Sequence, residues 1–182
     1  MKWMIASDIH GSAFYCRQML ERYRAEKADR LLLLGDLLYH GPRNDLPKEY
    51  APKEVITLLN PLKNELLCVR GNCEAEVDQM VLEFDCMGDY AVVEADGLVM
   101  ALSHGHVYNA EKLPPAEHID VFMSGHTHVK VLERRDEGLV VLNPGSTTIP
   151  KDGSASYATY EDGVFSLRAL ESGEALQELV AR

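Results

Sequence analysis

Two hydrophobic periods share the chain. Residues 3–6 form a short unbroken apolar run that stops at Ser7-Asp8-Ile9-His10-Gly11, after which Phe14, Met19, Leu20 and Tyr23 recur at helical spacing. The pattern predicts a strand, a polar turn and a helix whose core face carries Phe14, Met19 and Tyr23. Residues 31–34 are consecutive leucines, the signature of a parallel strand buried on both faces, and they stop at Gly35-Asp36. The Gly- and Pro-containing stretch 40–47 predicts a loop longer than a connector needs, and a helix follows over 52–59, opened by Pro52. Residues 65–70 predict a third strand, ending at Gly71-Asn72-Cys73-Glu74, and then a short helix through Val77 and Met80.

Beyond residue 90 the period shifts toward two. Residues 90–94 and 98–103 flank Asp96-Gly97, a strong two-residue hairpin signal, and lead to Ser103-His104-Gly105-His106. Residues 111–117, interrupted by Pro114-Pro115, predict at most a short helix before a buried strand over 119–123. That strand runs into Gly125-His126-Thr127-His128. Two further hairpins are expected, 129–134 with 139–142 and 156–160 with 164–170, separated by the turn-rich crossing Asn143-Pro144-Gly145-Ser146. The C-terminal stretch 174–180 fits a helix or an edge strand, and a strand closes the meander better. Alternating strands and helices followed by a run of strands suggest two stacked sheets with helices outside, in one domain over residues 1–182.

Bulk composition narrows the function classes. A chain of 182 residues, 46% hydrophobic and 26% charged, can bury a core without staples. Its net charge of −11 and lack of a basic stripe argue against extended contact with nucleic acid. No apolar run is long enough to span a bilayer, no signal-like segment is present, and the four cysteines form no Cys-x-x-Cys pair, so reduced thiols in a cytoplasm are expected. A homo-oligomer is left open.

The chemistry sits where the strands stop. Asp8, His10, Asp36, Asn72, His104, His126 and His128 all follow buried runs, and all are oxygen or imidazole donors. Alone, the His126 and His128 pair fits a polar turn as well as a metal grip, and an Asp at a strand end usually caps a helix. Five loops repeating the arrangement point to one crevice at the carboxyl ends of the strands. Buried carboxylates and imidazoles at that density would leave charge unpaired, which a cation resolves. A donor set of His, Asp and Asn favours Mn²⁺, with Fe, Zn²⁺ and Ni²⁺ as alternatives, over a Cys-type structural zinc. So many donors exceed one tetrahedral ion and suit two ions about 3.5–4 Å apart sharing a carboxylate, the arrangement that clamps phosphoryl oxygens.

The series Asp8-x-His10, Gly35-Asp36, Gly71-Asn72-x-Glu74, His104-Gly105-His106 and Gly125-His126-x-His128 resembles the calcineurin-like metallophosphoesterases. The Ser-Asp-Ile-His-Gly start, the Gly-Asn-Cys-Glu form and the Asn-Pro-Gly-Ser ending are similar to the small bacterial and archaeal phosphodiesterases of the YfcE type. The resemblance implies an α/β four-layer αββα sandwich, with two mixed sheets flanked by helices. It implies that Asp8, His10, Asp36 and His128 hold one ion, and Asp36, Asn72, His104 and His126 the other, with Asp36 as the bridge. The implied activity is hydrolysis of small phosphodiesters by a bridging hydroxide.

One position departs from many relatives, which carry His after the Asn to protonate the leaving group; this chain has Cys73. A thiol with a pKa of about 8.5 is a poor replacement acid, so packing beside the ions is the expected role of Cys73, and diesters with good leaving groups the expected substrates. His106 is expected to orient a ligand or meet a phosphate oxygen, and Arg43 to clamp a non-bridging oxygen. His118 is expected at the surface. The alternatives are a non-catalytic protein-binding scaffold like Vps29, whose motif departs at the Asn block, and a phosphomonoesterase or nuclease of the same superfamily.

Overall fold

The computed structural model describes residues 1–181. The first half contains β1 (Lys2–Ala6), α1 (Ala13–Glu26), β2 (Arg30–Leu33), α2 (Pro52–Leu59), β3 (Leu66–Cys68) and α3 (Glu76–Gln79). The second half contains β4 (Tyr90–Ala95), β5 (Leu98–Ser103), β6 (Val121–Met123), β7 (Lys130–Arg134), β8 (Val140–Pro144), β9 (Ser156–Glu161), β10 (Val164–Ala169) and β11 (Ala175–Val180). One mixed sheet runs β11-β10-β9-β1-β2-β3 and the other β4-β5-β6-β8-β7.

Strand alternation explains why β1 and β2 read as unbroken apolar runs. Trp3, Ile5, Leu32 and Leu34 point between the sheets, against Met100, Leu102, Val121, Met123, Val140 and Leu142, whereas Met4, Ala6, Leu31 and Leu33 point outward under the helices. Each fully buried side chain of this kind contributes about 1.5–3 kcal/mol. Helix α1 covers the outer face with Ala13, Cys16, Met19, Leu20 and Tyr23; Ser12 caps it by accepting from the Tyr15 amide, and Lys27 ends it at φ 53°.

Phe14 departs from its expected place in this stripe. It faces outward, edge-on to Tyr15, with the Lys48 ammonium 3.4 Å from its ring centroid. Residues 111–117 contain no helix, because Pro114 and Pro115 lack amide donors and hold the residues before them out of the α region. The irregular segment 104–120 therefore covers the outer face of the second sheet, where Ala110 and Ile119 pack on Ala101, Phe122 and Val141.

β3 is shorter than expected because the Arg70 amide turns away to the Gly88 carbonyl. Residues 175–180 form the edge strand β11, antiparallel to β10. The hairpin at Asp96-Gly97 has φ of 52° and 72°, the left-handed pair that a two-residue turn of this type requires. Among the described residues no helix is long and apolar enough to cross a membrane. β1, β2 and β3 are parallel, as are β5, β6 and β8, so the carboxyl ends of three strands in each sheet deliver their loops to shared edges.

Candidate metal centre

Backbone conformation sets the site. Asp8, His10, Asp36, His126 and His128 all occupy the left-handed region, at φ 59°, 49°, 56°, 67° and 59°. Asp and His tolerate this better than most residues, but it persists only where neighbours over-determine it. The β1 and β2 loops are laced together by Asp8 N to Gly35 O at 3.1 Å and His10 N to Asp36 O at 2.9 Å. Glu74 accepts the amides of Gly71, Asp36 (2.8 Å) and Leu37 (2.7 Å), a clamp on the Asp36 turn that the Gly-Asn-x-Glu spacing signalled without revealing its task.

The segment after β8 supplies further supports. Ser146 Oγ donates to the Asp8 carbonyl at 2.9 Å, Thr148 Oγ1 to the Ile9 carbonyl at 2.8 Å, and Asn143 Nδ2 to the Gly125 carbonyl at 2.8 Å. Sequence reasoning saw only a turn there, since a hydroxyl bonded to a distant carbonyl leaves no periodic trace.

Five candidate ligands form a buried floor: Asp8, His10, Asp36, His104 and His128. Each imidazole has its Nδ1 committed to a backbone carbonyl: His10 to Tyr39 at 2.9 Å, His104 to Leu34 at 2.6 Å and His128 to Ile149 at 2.7 Å. A carbonyl only accepts, so Nδ1 carries the proton and Nε2 of the neutral ring is a bare lone pair turned inward. These lone pairs converge. His128 Nε2 is 3.1 Å from Asp8 Oδ1, and Asp36 Oδ2 stands 3.7 Å from His10 Nε2 and 3.5 Å from His104 Nε2.

Asn72 and His126 complete the rim. Asn72 is exposed, with Oδ1 3.1 Å from His104 Nε2, and the half-buried His126 ring centroid lies 5.1 Å from that of His104. Cys73 is partly exposed, donates its amide to Asp36 Oδ1 at 2.9 Å and receives Asn72 Nδ2 on its sulfur at 3.3 Å. The half-buried His106 ring lies 5.4 Å from His104, and its Nδ1 is buried without a partner among the described residues. Arg43 is exposed at the mouth of a cleft of about 300 Å³ lined also by His10, Asp36, Cys73 and His126. His118 lies at the surface, paired with Asp120.

Residues 1–162 match the family model described as the calcineurin-like phosphoesterase superfamily domain. The chain belongs to that superfamily. It is 44% identical over 171 residues to phosphodiesterase YfcE of Escherichia coli K12, which covers 93% of this chain and 92% of that protein. The solved structure of Yfce, a phosphoesterase from E. coli, aligns with a TM-score of 0.95 and 42% identity over 100% of both chains. Phosphodiesterase MJ0936 of Methanocaldococcus jannaschii is 26% identical over 152 residues, 80% of this chain and 83% of that one. Vps29 of Entamoeba histolytica aligns with a TM-score of 0.65 at 20% identity over 98% of both chains, a likeness of fold alone.

Membership of the calcineurin-like superfamily implies divalent ions, and the residues of this chain fit them. His10 Nε2 and His128 Nε2, both unprotonated when their rings are neutral, face each other at 3.2 Å, and Asn72 Oδ1 faces His104 Nε2 in the same way. Asp8 Oδ1 is buried and accepts no hydrogen bond among the described residues. Acceptors aimed at acceptors call for a cation, either a proton or a metal ion. Two of the compact donor groups, Asp8-His10-His128 and Asp8-Asp36-His104, contain only oxygen and imidazole nitrogen.

Electrostatics follow from this crowding. Burial alone would raise the Asp8 carboxyl, but the His10 and His128 imidazoles outweigh it and hold Asp8 far below the usual carboxylate range. Burial likewise opposes a charged His104, yet Asp36 and Asp8 lift it from 6.5 to about 9. In the metal-free protein that raised pKa contributes stability which is complete below pH 6.5 and lost as pH rises through about 9. A divalent ion replaces the proton, so its binding at neutral pH must expel it. Metal-free protein is therefore expected to lose melting temperature from neutral pH to about 9, metal-loaded protein to be free of this loss, and metal addition at neutral pH to release protons. Thermal unfolding by circular dichroism with and without metal checks this; identical pH slopes would show that no ion meets His104.

Proposed function

We propose that this chain, as a single domain, is a metal-dependent phosphodiesterase that hydrolyses small organic phosphodiesters at a dinuclear centre. The supporting observation is the position of Asp36 Oδ2 between the His10 and His104 Nε2 atoms, at 3.7 and 3.5 Å, where one carboxylate can serve two ions. Asp8, His10, Asp36 and His128 would hold the first ion, and Asp36, Asn72, His104 and His126 the second. The curated relatives YfcE and MJ0936, which align over most of this chain, carry the name phosphodiesterase. Mn²⁺ suits the oxygen and imidazole donors, and Fe, Zn²⁺ and Ni²⁺ are the alternatives. Four free cysteines fit a reducing cytoplasm.

When bound, the ions would supply Lewis acidity toward the phosphoryl oxygens and a strong nucleophile from water at neutral pH. The chain's own residues do the rest. Nδ1–carbonyl bonds lock the ring orientation of His10, His104 and His128. Asn72 donates an uncharged oxygen and so leaves more of the cationic charge to act on substrate. His106, whose pKa burial and the neighbouring His104 and His126 hold down, is a neutral ring able to accept or donate one hydrogen bond to a phosphate oxygen. Arg43 at the cleft mouth offers its planar fork to the non-bridging oxygens.

Cys73 fits the leaving-group side poorly as an acid. Burial and the Asp36 carboxylate push its thiol well above the ordinary range, so without metal it stays protonated and releases its proton reluctantly. Positioned general acids contribute about 10²–10⁴-fold, so alkyl phosphomonoesters are expected to turn over at least about 10²-fold more slowly than aryl diesters. A panel of esters graded by leaving-group pKa, assayed on chelated and Mn²⁺-reconstituted protein, measures this; equal rates would contradict it. Full metal occupancy with no hydrolysis of any diester would instead favour a protein-binding scaffold.

A further inference from the structure

The cleft over the candidate ligands does not end at them. It opens into a recess of about 430 Å³ bounded by Tyr15, Leu46, Lys48 and Pro150. Arg43, Asn44, His128 and Lys151 line both spaces, so cleft and recess form one groove, of a size typical for small-molecule sites. In a chain of net charge −11, three exposed cations, Arg43, Lys48 and Lys151, line this groove, against a single carboxylate in the recess, Asp45. Among the described residues neither Arg43 nor Lys151 has an ion-pair partner, and Lys48 rests on the Phe14 ring.

The walls that carry these cations are held in place. The Lys151 amide donates to the His128 carbonyl at 3.0 Å, and Ile149 accepts from His128 Nδ1, which ties the 148–151 strap to a candidate metal ligand. Ser12 Oγ donates to the Lys48 carbonyl at 2.6 Å, the Ala13 amide to the Glu49 carbonyl at 3.0 Å, and Arg17 bridges Glu49 and Glu54. The loop is preorganised, so little ordering entropy opposes a ligand.

The charge in the groove exceeds what a simple diester needs. A diester is a monoanion, and divalent ions with Arg43 already meet its one charge, which leaves Lys48 and Lys151 facing the recess. We infer that the recess is a subsite for a second phosphate, and that the substrate class is a phosphodiester one of whose arms carries a further phosphate, as in a 5′-phosphodiester of a nucleoside 3′-phosphate, whose hydrolysis leaves a nucleoside 3′,5′-bisphosphate. This rests on the phosphodiesterase reading. Tyr15, half-buried at the recess wall, offers a ring against which the arm packs.

Binding of thymidine 3′,5′-bisphosphate and thymidine 5′-monophosphate to the Mn²⁺-loaded full chain, measured by calorimetry, tests the subsite without turnover. The bisphosphate is expected to bind about tenfold more tightly, as one charge-assisted contact provides, and the advantage to fall below about twofold in the K48Q/K151Q double variant. Equal affinities in the unsubstituted protein, or an advantage that survives the double substitution, would overturn the inference. The same preparation is assayed on bis(p-nitrophenyl) phosphate. Bisphosphate preference without cleavage would support the recess as a binding site and overturn the hydrolase reading instead.

Discussion

Asp36→Asn is expected to leave the fold in place while lowering kcat for an aryl phosphodiester by about 10³-fold or more. The amide can still accept the Cys73 N–H that Asp36 Oδ1 accepts at 2.9 Å, and the Asp36 amide remains clamped by Glu74, so the turn persists. What disappears is the anionic oxygen between His10 and His104, the atom best placed to be shared by two ions. Circular dichroism should match the unsubstituted protein, and bound metal should fall by about half or more. An Asp36→Asn protein with full metal content and full activity would remove Asp36 from the centre.

Gly71→Ala is expected to cost about 2–3 kcal/mol of stability and to damage the site at the same time. A Cβ at residue 71 would stand 2.1 Å from Asp36 Oδ1, 2.4 Å from the Asp36 backbone nitrogen and 2.6 Å from Glu74 Oε2. Two of these atoms belong to the Asp36 turn and the third to its clamp, so relief of the clash moves the candidate bridge itself. For a chain of this size the loss corresponds to about 4–12 °C in melting temperature. Gly88→Ala is the matched control, because its nearest neighbour, the Tyr90 carbonyl, is at an ordinary 3.7 Å. Denaturant unfolding of both variants, together with their Mn²⁺ affinities, measures the contrast; similar values for the two would show that Gly71 is not tightly wedged.

Much of the fold was legible because the chain states it locally. The leucines at 31–34 alternate between helix-covered and inter-sheet faces, and the Asp96-Gly97 and Asp162-Gly163 pairs mark hairpins that the structure contains. The seven donors were legible because each follows a buried strand, and the structure brings five of them to a buried floor with Asn72 and His126 at its rim. The supports were not legible. Ser7 donates to Asp8 Oδ2 at 2.6 Å, and Ser146 and Thr148 reach the carbonyls of residues 8 and 9 across more than a hundred positions of sequence. A hydroxyl that serves one distant carbonyl carries no periodicity. Phe14 misled for the opposite reason: its spacing fitted a helical stripe, but the stripe that packs on the sheet runs through Ala13, Cys16, Leu20 and Tyr23. Lys151 lines the cleft beside His128 and has no motif around it.

The left-handed backbone at five donors joins these two parts. Each such residue is held at an energetic cost of about 1–3 kcal/mol unless its type tolerates the region, and it persists here because loop-to-loop hydrogen bonds fix it. Strands position the loops, the loops force the turns, and the turns aim the side chains at one another.

The most direct test is the metal stoichiometry of the unsubstituted protein. After chelation, reconstitution with Mn²⁺ and desalting, metal and protein concentrations are measured together by inductively coupled plasma mass spectrometry and amino-acid analysis. Two ions per chain are expected; one ion, or none, would contradict a shared Asp36 carboxylate at the heart of the site.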